Sequence, residues 1–194
     1  MGNRRIGRKR LYAVEKAGKK IDLESGAGIK DVVVAASQHR NGQELITEIA
    51  IDLGCTAALA APIKSATHDR DPIGIAPGDG GGAAFLTQLT EAKYGVITEV
   101  RMICLEDAAS LTNLDLEFGT NGDGVNDTAD TGSPTSILTA IGNAIGEDSA
   151  QQYSARELQN KYLYICNGAG DTPDAFTKGK FLIYLHGFEE PADT

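Results

Sequence analysis

The chain has 194 residues, is 41% hydrophobic and 23% charged, and carries a formal net charge of −9. That composition fits one soluble globular domain with a core of its own, and no apolar run approaches the ~20 residues of a membrane-spanning helix. The basic N-terminus has no apolar stretch behind it, so it does not read as a secretory leader. Three cysteines, Cys55, Cys104 and Cys166, without a C-x-x-C spacing predict buried, reduced thiols rather than a disulfide framework or a zinc site.

The charge is unevenly placed. Residues 1–20 hold Arg4, Arg5, Arg8, Lys9, Arg10, Lys16, Lys19 and Lys20 against Glu15 alone, a net +7, which leaves the rest of the chain at −16. A basic arm on an acidic body points to a negatively charged partner, either an acidic protein surface or a nucleic acid touched through the arm only. The plainer alternative is a solvated tail that aids solubility. Ser25-Gly26-Ala27-Gly28 then punctuates the chain. The reading is an arm over 1–28 and a single domain over 29–194.

Period-two patterns follow. Residues 32–34 and 84–90 are short strand candidates. In 45–53, Leu45, Thr47, Ile49, Ile51 and Leu53 share one face. In 96–105 the inward set is Val96, Thr98, Val100, Met102 and Cys104, with Glu99 and Arg101 turned outward. Leu114, Leu116 and Phe118 alternate with Asp115 and Glu117. Leu116 is expected to face the core, and the acids to face water, where Asp115→Asn would do little. Residues 162–166 and 180–188 complete seven or eight strands, an all-β pattern of the antiparallel sandwich or barrel kind. Two short helices interrupt it. Ser133-Pro134 opens one, with Ile137, Leu138, Ile141, Ala144 and Ile145 on one side and Gly146 ending it. Ser154 and Glu157 have capping-box spacing ahead of Leu158. The helices are too short and too few for repeated βαβ units, so a parallel α/β fold is not expected.

No catalytic constellation stands out. Ser65, His68 and Asp69 crowd one loop and lack a nucleophile elbow, while His39 and His186 are isolated. Gly78-Asp79-Gly80-Gly81-Gly82 matches neither phosphate-binding fingerprint. Asn121, Asp123, Asn126, Asp127 and Asp130 offer oxygen enough for calcium, but Val125 breaks the EF-hand order and such residues also suit any exposed turn. The expectation is a protein without cofactor or resident metal, and not an enzyme.

Three stretches carry a resemblance. Residues 97–118, beginning Ile-Thr-Glu-Val-Arg-Met-Ile-Cys-Leu-Glu-Asp, the opening Met-Gly-Asn-Arg-Arg-Ile-Gly-Arg-Lys-Arg-Leu-Tyr and the closing Gly-Lys-Phe-Leu-Ile-Tyr-Leu-His-Gly-Phe together resemble virion structural proteins of marine tailed bacteriophages. The resemblance implies a jelly-roll-like capsid component, a decoration or minor capsid protein assembled in the host cytoplasm. Its partners would be the major capsid protein, other virion proteins and its own copies, with a trimer favoured. A tail or fibre knob that binds a host receptor or glycan is the alternative, although aromatic-poor loops suit sugar stacking badly.

Overall fold

The computed structural model describes residues 18–54, 72–74, 83–108, 113–119, 135–142, 145–146, 148–153, 156–167 and 178–189. Ten strands lie in these residues: β1 (Lys19–Lys20), β2 (Val33–Asn41), β3 (Glu44–Asp52), β4 (Thr87–Gln88), β5 (Val96–Glu106), β6 (Asn113–Gly119), β7 (Thr135–Gly142), β8 (Asp148–Gln152), β9 (Tyr162–Asn167) and β10 (Lys180–Phe188). One helical turn, α1 (Glu91–Tyr94), precedes β5, and a 3-10 turn over Lys30–Val32 leads into β2. All pairings are antiparallel, in a six-stranded sheet ordered β1-β2-β3-β10-β5-β8 and a four-stranded sheet ordered β4-β9-β6-β7. The fold is an all-β sandwich, as the alternation predicts.

The alternation places the core between the sheets. Leu45, Thr47, Ile49, Ile51 and Leu53 are all buried, while the residues between them are half-exposed. Ile49, Ile51 and Leu53 share one cluster with Val100, Met102, Cys104, Phe181, Ile183 and Leu185 of the same sheet, and with Leu114, Leu116, Leu163 and Ile165 of the other. The β2–β3 hairpin closes through Gly42-Gln43, with Gly42 at φ 66, the left-handed backbone that a tight two-residue loop requires. Cys104 and Cys166 are buried as expected, and Cys55 lies outside the described residues.

Four expectations change. The stretch expected to form a helix after Ser133-Pro134 is β7, paired with β6 through Leu138 opposite Leu116 and Ile141 opposite Leu114. Thr135, Ile137, Thr139 and Ile141 are β-branched at every second position, and Gly142 weakens a helix, so the strand wins once β6 offers an edge. The residues after Glu157 form turns rather than a helix, with the Gln159 amide donating to the Arg156 carbonyl and Lys161 to Leu158. In β5 the inward set is Ile97, Val100, Met102 and Cys104, because a bulge opposite His186 and Gly187 skips Thr98 and flips the phase; Val96 and Thr98 are only half-buried. The acids of β6 do not face water: Asp115 is 3% exposed and Glu117 is 2% exposed.

That last change has a structural cause. β6 is a central strand, paired with β7 on one side and β9 on the other. Leu116 lies opposite Ile165 on the core face, while Glu117 lies opposite Tyr164 and Asp115 opposite Cys166 on the other. All six are buried, so the four-stranded sheet is enclosed on both faces here. Buried carboxylates require partners, and each of these acids has one.

Candidate functional site

The basic arm is the feature of the sequence with the clearest chemistry, and its root is where the structure describes it. Lys19 and Lys20 form β1, the edge strand of the six-stranded sheet, with Lys19 opposite Gln38 and Lys20 opposite Ser37. Both side chains are exposed. The pairing continues for one more hydrogen bond, the Ile21 amide to the Ala36 carbonyl at 3.1 Å. Arg4, Arg5, Arg8, Lys9, Arg10 and Lys16 lie outside the described residues, as do Asn121, Asp123, Asn126, Asp127, Asp130, Ser65, His68, Asp69 and the run 78–82.

The chain then crosses from one sheet to the other. The Asp22 carboxylate accepts from the Glu24 amide at 2.9 Å, and Glu24 takes a left-handed φ of 56, which turns the backbone away from β2. Ser25 Oγ donates to the Leu86 carbonyl at 2.6 Å, Gly26 N–H to Phe85, and Gly28 N–H to Ala83. A Cβ on Gly26 would collide with the Ala83 carbonyl, so only glycine permits this approach. Residues 19–28, which composition alone groups with the arm, are therefore woven into the sandwich.

A buried polar chain locks this crossing. Tyr94 is 1% exposed, and its hydroxyl lies 2.7 Å from Thr87 Oγ1. Thr87 in turn donates to the Leu23 carbonyl at 2.9 Å, so the Tyr94 hydroxyl is the donor of the first bond. Burial pushes the Tyr94 phenol well above its ordinary range, which keeps that donor protonated. Leu23, between the two turns, is buried in the shared core. Lys93 adds an outer tie to Glu24 at 3.4 Å. The root of the arm is thus fixed to a strand edge, to α1 and to the second sheet together.

Between the departing segment and the start of β2 lies an open groove of about 730 Å³, lined among others by Ile21, Leu23, Val33, Val34 and Ala35. Val34 is 63% exposed, and it is the extra residue where the β2–β3 register shifts. The exposed face of the six-stranded sheet is by contrast cross-paired. Lys180 bridges Glu106 at 3.0 Å and Asp52 at 4.0 Å, Arg101 meets Asp148 at 2.7 Å, and His186 Nδ1 lies 3.2 Å from Glu44. The guanidinium of Arg101 holds the Asp148 carboxyl below its usual range, chiefly by hydrogen bonding. His39 sits on the same sheet opposite Ile46 and makes no site with His186, which stands opposite Ile46 on the far side.

Sequence reasoning missed the groove and the polar chain at the root. Val34 reads as part of a strand, and nothing local shows that β1 abandons β2 after Ile21. The signal that was available is Ser25-Gly26-Ala27-Gly28, whose glycines mark a close backbone approach as readily as a linker. Among the described residues no helix is long and apolar enough to cross a membrane. No family model, curated protein or solved structure matches the chain.

Proposed function

We propose that this chain is a non-enzymatic virion structural protein, a capsid decoration or minor capsid component. It binds the head shell through its basic arm and tiles the shell as a closed oligomer, most simply a trimer. The observation that carries the reading is the root of the arm. A +7 segment is continuous with an edge strand and is tied into both sheets within ten residues, so a load on the arm is borne by the whole sandwich. A tail that serves only solubility needs no such anchoring. The acidic body complements the arm of a neighbour and faces the shell or solvent elsewhere. The resemblance to phage virion proteins supplies the kind of partner, and the shell's local three-fold positions supply the preference for three copies.

The test is incorporation. Protein lacking residues 1–17, which leaves β1 intact, is added to particles that lack the native copy. The reading expects a folded protein with occupancy reduced at least tenfold, and intact protein whose occupancy falls as salt rises. Wild-type occupancy of the truncated form in high salt would overturn it.

A further inference from the structure

We propose that the groove beside Val34 receives the arm of a second copy, through its apolar stretch Leu11, Tyr12, Ala13 and Val14. This rests on the oligomeric reading above and names the contact that builds the oligomer.

The direction of β1 argues for a second copy. β1 runs antiparallel to β2, with Lys19 opposite Gln38 and Lys20 opposite Ser37, so the chain enters β1 from the Asn41 end. The groove lies at the opposite end, over Val33–Ala36. To reach its own groove the arm must reverse, yet residues 11–17 read Leu-Tyr-Ala-Val-Glu-Lys-Ala, with no Gly, Pro, Asn, Asp or Ser to make the turn. Gly18, the one turn-capable residue between Leu11 and β1, lies close against Ser37 and does not take a left-handed φ. An arm that continues straight leaves its own molecule.

The occupant fits the opening. The only consecutive apolar stretch of the arm is 11–14, preceded by Arg10 and followed by Glu15 and Lys16. Four extended residues span about 13 Å, the length of β2 that the groove exposes. Val33, Val34 and Ala35 supply apolar lining, and the exposed Asp22, Glu24, Lys20 and Lys30 supply charged lining, Glu24 being shared with Lys93. The acidic body attracts the arm over longer range. A strand laid here would also cover the stretch of β2 that β1 leaves, which is how an exposed sheet edge is relieved by a neighbour. The arm is then divided in its work: residues 11–14 bind the next copy, and Arg4, Arg5, Arg8, Lys9 and Arg10 remain for the shell.

The test uses purified full-length protein without particles. A chain carrying Leu11→Cys is mixed with a chain carrying Val34→Cys, oxidised mildly, and the disulfide-linked peptides are identified by mass spectrometry. The proposal expects an 11–34 bond between chains, formed at least tenfold more than between Leu11→Cys and Ile145→Cys, whose site is more exposed still, at 72% against 63%. Val34→Glu, a change at a surface position, is expected to lower the mass by light scattering to that of one chain with an unchanged melting temperature. An 11–34 bond closed within a single chain of the double variant would assign the groove to its own arm and overturn the proposal. Equal yields at 34 and 145, or an unchanged mass for Val34→Glu, would also overturn it. Shell binding is read separately. Val34→Glu protein of unchanged mass that still occupies particles would remove the exchange and leave the attachment reading standing, and crosslinked protein absent from particles would do the reverse.

Discussion

Thr87 is the residue at which the packing of the arm root is most exposed to test. Its hydroxyl accepts from Tyr94 and donates to the Leu23 carbonyl, and all three groups are out of water. Thr87→Val keeps the shape and removes both bonds, leaving a buried donor and a buried acceptor without partners. The expected loss is about 1–3 kcal/mol, read from the urea midpoint at constant slope. Gly187→Ala is expected to be at least as damaging, since the added methyl would meet the Tyr94 carbonyl, a backbone atom that cannot turn aside. The β6 acids give a further prediction. Leu116→Asp is expected to cost several kcal/mol, enough to unfold a domain of ordinary stability. Asp115→Asn, at 3% exposure with its carboxylate engaged, is also expected to lower the melting temperature. An Asp115→Asn protein that melts with the wild type would show that the carboxylate contributes nothing where it lies.

At the scale of elements, the strands that alternate strictly were legible, and those whose fate depends on a neighbour were not. The pattern of 45–53 names its own inward face because β3 is regular along its length. β5 cannot be phased from sequence, since the bulge at Thr98 is set by its pairing with β10. The stretch 135–142 satisfies a helical and a strand period alike, and only the open side of β6 decides between them. Asp115 and Glu117 look like an exposed face because burial on both sides of a strand leaves no mark in a period of two. β1 is the element whose role is tested most simply. Removing residues 1–17 is expected to leave the melting temperature unchanged. Removing 1–20 also strips the hydrogen bonds to β2, and is expected to cost about 1–2 kcal/mol in denaturant unfolding. On the exposed face, the folded-state pKa of Asp148 is depressed by Arg101, so the stability it contributes is present above the unfolded carboxylate range and is lost as pH falls through the folded value. In Arg101→Gln that acid-side loss is expected to shrink slightly, because the pair is exposed to solvent.

For the molecule as a whole, the fold class and the charge asymmetry are legible in the sequence, and the anchoring of the arm is not. Eight lysines and arginines in twenty residues stand against a single acid there. That the segment ends as an edge strand, beside an apolar groove and stapled to both sheets, depends on contacts between residues more than sixty positions apart. In the proposed function the arm binds and the sandwich holds it. The proposed function is tested most directly by counting the chain in purified tailed-phage particles of the proposed kind, by quantitative mass spectrometry against the major capsid protein. A shell component attached through such arms is predicted at hundreds of copies per particle, retained on heads from which tails have been removed. Absence from the particle, or a few copies that leave with the tail, would contradict it.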